Sequence, residues 1–190
     1  MIAGLLLAAG GARRFGAQKL VAPLGGTPIV RHAADALRGA VDELVVVVGS
    51  DAPVVREALA GLDVRFVENV DWAAGLSTSL RTGVAAVEGR ADAAVIALGD
   101  QPGLDSALVR SVIAMWRASR QPIIATRYRG NRGHPVLVDR TLFVEAKQIT
   151  GDVGARLLMD RDPSRVGYVD VDQPAPRDVD RPADLEALEQ

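Results

Sequence analysis

Residues 5–19 read LLLAAGGARRFGAQK: an apolar run, then glycines, two arginines and a closing lysine. Those types in that order suit a phosphate chain. Gly10, Gly11 and Gly16 allow backbone angles closed to other residues and let backbone N–H groups come close to a ligand. Arg13, Arg14 and Lys19 bring the positive charge that phosphate oxygens require. The stretch is not a Walker A loop, because no Gly-Lys-Ser/Thr follows at the required spacing. It is a poor dinucleotide fingerprint as well, since Pro23, Gly25, Gly26 and Pro28 delay the helix that should start inside the glycines. A plain turn between strand and helix is the alternative, and the clustered charge argues against it.

Further constellations carry polar chemistry. Asp100 follows the apolar run 93–98 in LGDQP, a position that suits a hard cation binding few carboxylates plus phosphate oxygens. Its other reading, a cap for the helix from Ser106, is weaker because Asp105 and Ser106 are better placed. Asp178 and Asp180 alternate in an extended segment and so point the same way. Either could complete a metal site with Asp100, or Asp180 could cap a helix starting at Pro182. In 69–83, NVDWAAGLSTSLRTG, Ser77, Thr78 and Ser79 sit where a helix should begin. Such a start can bind an anion or a base edge, or simply be capped. GNRGHP at 130–135 and GDVGAR at 151–156 add His134, Asp152 and Arg156 for a second anionic substrate; the alternatives are a structural histidine and a helix entry capped by Asp152. His32 reads as structural.

These residues need a scaffold that gathers loops. Apolar runs at 2–7, 44–48, 64–67, 93–98, 123–126, 135–138 and 166–169 predict strands. Helical patterns at 28–37, 52–59, 77–87, 106–118, 154–159 and 182–188 alternate with them. That alternation predicts an α/β fold, a mostly parallel, Rossmann-like sheet with helices on both faces. Right-handed crossovers then place strand C-termini on one edge, where ligands bind. The 190 residues, 48% apolar and without cysteine, suit a single domain, 1–190, with an aliphatic core and no disulfide, zinc-thiolate site or cysteine nucleophile. A net charge of −2 gives no global field for nucleic acid or an acidic membrane. The start lacks a basic leader and no segment is apolar enough to span a bilayer, so a soluble cytoplasmic protein is expected. No apolar surface stripe stands out, so a monomer is expected.

The loop LAAGGARRFGAQKL resembles the signature of nucleotidyltransferases of the molybdenum cofactor guanylyltransferase type, roughly L-A-[AG]-G-x-x-x-R-M-G-x-x-K, with Phe15 in place of methionine. ENVDWAAGLSTSLRTG, LGDQPGL and GNRGHPVLV…GDVGARLL resemble the cytidylyltransferase branch, and DVDRPADL resembles the closing D-x-D-T-P-x-D-L motif, with Arg181 for threonine. The resemblance runs from Ile2 to Leu188 and implies a fold of the nucleotide-diphospho-sugar transferase type. It also implies that Leu7, Ala8, Ala9 and Gly10 lie along the nucleotide and that Arg14 and Lys19 hold its triphosphate. Asp100 would bind Mg²⁺ with Asp180 as second ligand. Ser77, Ser79 and Gly83 would lie near base or ribose, and His134, Gly151, Asp152 and Arg156 would face the pterin. Arg14, Lys19 and Asp100 would be the catalytic set.

The implied reaction joins CMP from CTP to the terminal phosphate of the molybdenum cofactor, with pyrophosphate released and a molybdoenzyme as eventual recipient. Alternatives are GTP or another phosphate acceptor on the same fold, an NAD(P)H-dependent oxidoreductase, and a chaperone that delivers cofactor without chemistry.

Overall fold

The computed structural model describes residues 1–11 and 18–188. β1 (Ile2–Ala8) leads to a 3-10 turn at Lys19–Val21, then a hairpin of β2 (Pro23–Leu24) and β3 (Thr27–Pro28), then α1 (Ile29–Arg38). There follow β4 (Glu43–Val48), α2 (Ala52–Ala58), β5 (Arg65–Glu68), α3 (Leu76–Val87), β6 (Ala93–Leu98) and α4 (Ser106–Ser119). The chain continues through β7 (Ile123–Tyr128), β8 (Asn131–Asp139), α5 (Phe143–Lys147), α6 (Arg156–Arg161), β9 (Val166–Val171) and α7 (Pro182–Glu186).

Seven strands form one sheet in the order β5-β4-β1-β6-β8-β7-β9. β8 is antiparallel to both β6 and β7, while the other neighbouring pairs run parallel. The expected mostly parallel sheet with helices on both faces is therefore present. Side chains of a strand alternate between faces, and the core divides accordingly. Leu5, Leu7, Val45, Val47 and Ile96 face Leu80, Val84 and Val87 of α3 and Phe143 of α5. Leu6, Val46, Val48 and Val95 face Val30 and Leu37 of α1, Val55 of α2 and Val109 of α4.

β1 and β6 are neighbours, but the chain leaves β1 toward β4 and returns from β5 to β6 on the other side. The connections diverge there and open a crevice at the strand C-termini, the place where open α/β sheets bind ligands. The loops after Ala8, Val48, Glu68 and Leu98 all emerge at that edge.

Most expected elements are found within a residue or two. The segment GNRGHP is an exception: it starts β8, as part of a hairpin turning at Arg129 and Gly130. Its glycine, asparagine and arginine carry little strand preference, so pairing with β7 decides its conformation. The late helix starts at Arg156, not 154, and α5 has no counterpart among the expected elements. His32 is structural as expected: Nε2 lies 3.0 Å from the Leu24 carbonyl and ties α1 to the small hairpin. No helix among the described residues is long and apolar enough to cross a membrane.

Gly49, just after β4, passes so close to the first loop that a Cβ there would lie 2.3 Å from the Ala9 carbonyl oxygen. Gly49→Ala should therefore destabilise the fold by about 1–3 kcal/mol through overpacking. A urea titration checks this. The midpoint should fall with unchanged slope, and an unchanged midpoint would show that the loop yields freely.

Candidate functional site

The glycine loop and the chain's late acidic segment meet at Lys19. Gln18 fixes the 3-10 turn that carries the lysine: its side chain accepts from the Leu20 N–H at 3.3 Å and donates to Asp51 at 2.7 Å. Leu20 is buried below, and the turn packs on α1 and α2. Lys19 Nζ then lies 2.7 Å from Asp100 Oδ2 and 2.7 Å from Asp180 Oδ1. Asp100 stands on the turn after β6. The late segment is pinned beside it because the Val179 N–H donates to the Asp100 carbonyl at 3.1 Å and the Val179 side chain is buried. With Val179 inward, Asp178 and Asp180 flank it: Asp178 accepts from Gln101 Nε2 at 2.7 Å, and Asp180 meets the lysine.

The electrostatics follow from enclosure and pairing. Burial pushes the Asp100 carboxyl above its usual range, and the Lys19 ammonium only partly offsets this. Burial pulls Lys19 down, but Asp100 and Asp180 outweigh it and hold the ammonium above the usual lysine range. The alternative roles of the two acids are not used. Asp105 caps α4 through the Ala107 N–H, and Asp184 folds back to accept from the backbone of Asp180 and Arg181 at the start of α7.

A cavity of about 390 Å³ opens beside Lys19, lined by Leu7, Ala8, Ala9, Gly10, Gly11, Trp72, Ser79 and Asp100. A second cavity of about 440 Å³ adjoins it, lined by His134, Arg132, Gly154, Arg156, Met159 and Pro176. Leu76, Leu98, Asp152 and Asp178 border both. Burial pushes His134 down to about 4, against the opposing pull of Asp178, so its imidazole is neutral at pH 7.

Leu7, Ala8, Ala9, Gly10, Lys19, Ser79 and Asp100 thus line one cavity, with Asp180 joined through Lys19. Arg13, Arg14 and Gly16 lie outside the described residues. Other expectations need correction. Gly10 and Gly11 do not adopt left-handed angles; a Cβ on Gly11 would instead lie 3.0 Å from the Trp72 ring. Gly83 is not at the cavity beside Lys19. It faces the sheet, where a Cβ would meet Val47 at 3.2 Å and Leu5 at 3.3 Å. Ser77 is buried away from the cavity lining, with its N–H on the Gly151 carbonyl at 3.3 Å. The start of α3 is not free for an anion: Asp152 Oδ1 accepts from the Leu76 N–H at 3.1 Å and already supplies the negative charge. Asp152 therefore caps α3, not the late helix, and Gly151 is a docking partner rather than a lining residue.

Trp72, Gln101, Arg132 and Asn69 were not singled out from sequence. Trp72 lay inside a highlighted segment, and its aromatic ring among small and polar residues was the available signal. Gln101 and Arg132 gain their positions only through long-range packing.

Gly75 has φ +108°, and a Cβ there would lie 2.8 Å from the Gly151 carbonyl oxygen. Gly75→Ala should cost roughly 1–3 kcal/mol by strain and by undocking the two loops; an unaltered melting temperature would reject that account. For His134, a folded pKa of about 4 lies below the unfolded value of about 6.5. Its contribution is complete above the unfolded value and is lost as pH falls through the folded one. The melting temperature of the wild type should fall more between pH 7 and pH 4 than that of His134→Gln. Equal falls would remove the histidine as a source.

The MobA-like NTP transferase domain matches residues 4–166. The nicotine blue oxidoreductase of Paenarthrobacter nicotinovorans is 35% identical over 191 residues, covering 94% of this chain and 92% of its own. The molybdenum cofactor guanylyltransferase of Burkholderia vietnamiensis is 38% identical over 125 residues, covering 64% of this chain and 60% of its own. Among solved structures, Rv0371c of Mycobacterium tuberculosis superposes with a TM-score of 0.88 at 34% identity, over 99% of this chain and 97% of its own. The same protein has been solved in complex with manganese, with a TM-score of 0.84 over 98% of this chain and 97% of its own. By the extent of the domain match and the identity to full-length relatives, this chain is a member of the MobA-like NTP transferase family, a nucleotidyltransferase.

Proposed function

We propose that the chain transfers CMP from CTP to the terminal phosphate of the molybdenum cofactor, with Mg²⁺, and releases pyrophosphate. The observation that carries this reading is the convergence of Asp100 and Asp180 on one positive charge, at the mouth of a cavity lined by the glycine loop. The donor set fits a hard divalent cation. Among the described residues no three metal-ligating side chains cluster, so two carboxylates would share the ion with substrate oxygens, as Mg²⁺ prefers. Asp100 and Asp180 would hold the ion, which when bound would draw charge from the phosphate oxygens. The manganese complex of the Mycobacterium relative supports a divalent ion in this fold.

The rest is the work of the chain's own groups. A phosphate oxygen of the acceptor forms a bond to the α-phosphorus while the bond to the bridging oxygen breaks and pyrophosphate leaves. A phosphate monoester is already anionic at neutral pH, so no strong base is needed. Lys19 and Arg14 would meet the charge that grows on the departing oxygens, assisted by N–H groups of the glycine loop. The second cavity would hold the acceptor, with Arg156 and the neutral His134 on its wall and Asp152 and Gly151 fixing its border with the nucleotide. Alignment across that border supplies much of the remaining barrier reduction. We further propose a cytoplasmic monomer that passes its product to a molybdoenzyme.

Two other readings have specific support. The guanylyltransferase relative favours GTP as donor. The oxidoreductase relative, aligned along almost the whole chain, favours an oxidoreductase reaction, for which an NAD(P)H cofactor is the alternative read from sequence. Against the latter, the first α-helix after β1 among the described residues begins only at Ile29, too late for a dinucleotide fingerprint.

The test is pyrophosphate release with Mg²⁺ and molybdenum cofactor, using CTP, GTP, ATP and UTP in turn. Release with CTP above the others is expected; release with GTP alone moves the assignment to the guanylyl reaction, and NAD(P)H oxidation without release moves it to the oxidoreductase. Lys19→Met and Asp100→Asn should each lower turnover by roughly a hundredfold or more. Turnover near wild type in both folded variants would remove the electrostatic mechanism.

A further inference from the structure

Asn69 is 3% exposed and follows β5, where its N–H donates to the Val48 carbonyl at 2.8 Å. Its side-chain orientation is set by its partners. Oδ1 accepts from the Asp71 N–H at 3.0 Å, so the amide nitrogen must face α3. There Nδ2 donates to Thr78 Oγ1 at 2.8 Å and to Ser79 Oγ at 3.0 Å. Thr78 has carbonyl acceptors for its own proton, Gly75 at 2.8 Å and Asp71 at 3.1 Å. Ser79 differs: its oxygen accepts from Asn69, and its proton has no acceptor among the described residues. Ser79 is 5% exposed, and it lines the nucleotide cavity. An enclosed polar hydrogen is costly to leave unpaired, so this proton should be met from the cavity.

We propose that Asn69 is a positioning residue for nucleotide binding: it holds the Ser79 hydroxyl as a hydrogen-bond donor aimed into the cavity, toward a carbonyl oxygen or unprotonated ring nitrogen of the base. The proposal rests on the nucleotidyl-transfer reading and extends it. Asn69 does not touch the ligand; it fixes the direction of a group that does. Ser79 shares the cavity lining with the apolar surfaces of Leu7, Trp72 and Leu76, while the described lysine of that lining stands with Asp100 and the remaining charges, on Asp152 and Asp178, are negative, which suits a base there better than a phosphate.

Asn69→Asp is the informative variant. A carboxylate still accepts from the Asp71 N–H, but it accepts from Ser79 instead of donating, and so turns the serine proton away from the cavity. Calorimetric titration with Mg²⁺ would compare wild type, Asn69→Asp, Ser79→Ala and the double variant against CTP, GTP and inorganic tripolyphosphate. Both single variants should bind the preferred nucleotide about tenfold more weakly, the loss of roughly one useful hydrogen bond. The double variant should be no weaker than Ser79→Ala, and tripolyphosphate affinity should not change. Additive losses, or an equal loss for tripolyphosphate, would make Asn69 merely structural and overturn the proposal. Unchanged nucleotide affinity in Asn69→Asp would also overturn it. Should that variant not fold, Asn69→Ala takes its place in the same cycle, and losses additive with Ser79→Ala, or unchanged nucleotide affinity, would overturn the proposal. Failure of the wild type to bind any nucleoside triphosphate would overturn the nucleotidyl-transfer reading, and this proposal with it.

Discussion

One ammonium group between two carboxylates organises this molecule. Lys19 reaches Asp100 across 81 positions of sequence and Asp180 across 161. The two contacts differ in kind. Asp180 is half exposed, so its pairing with Lys19 is screened and contributes little by itself. Asp100 is much more enclosed, and stripping it of Lys19 would leave a poorly solvated charge. The surrounding architecture serves this meeting: the diverging connections beside β1, the glutamine-braced turn that presents the lysine, and the buried Val179 that pins the late segment. One positive charge facing two negative ones leaves an excess of negative charge. That excess is what the proposed binding of a divalent cation together with phosphate oxygens would draw on.

The sequence made the scaffold readable because aliphatic runs leave little choice. Ile2 to Leu7 and Ala93 to Leu98 have no polar face, so they must lie inside a sheet covered on both sides. The same logic located Asp100, because an acid directly after a buried strand has one edge to occupy. Residues whose role depends on contacts far along the chain were harder. The sequence offers Asp152 for a second substrate or, as the local alternative, as a cap for the helix that follows it, yet it caps α3 from 76 positions away. Gly83 is placed near base or ribose only by the family resemblance, but helix periodicity turns it to the sheet. Asn69 opens the segment 69–83, but nothing in its type distinguishes it from the neighbouring polar residues there. Its placement comes from an amide whose two N–H groups and oxygen all find partners in the fold, which no spacing of residues announces.

The docking of residues 151–152 onto the start of α3 binds the two halves of the site into one wall. Asp152 borders both cavities and simultaneously stabilises the helix that carries Ser79. Movement of residues 151–152 therefore cannot leave the wall of the first cavity untouched. A site that joins two anions benefits from this rigidity, because the repulsion between them must be met by fixed dipoles and cations rather than by loops that rearrange.

The chain contains two tryptophans, and they occupy opposite circumstances. Trp116 is anchored through its indole N–H to Asp139 at 3.0 Å and packs on the core face behind α1 and α4. Trp72 lies against Gly11 and lines the cavity beside Lys19. The molecule thus carries its own optical gauge, since one indole supplies a steady background while the emission of the other follows the glycine loop.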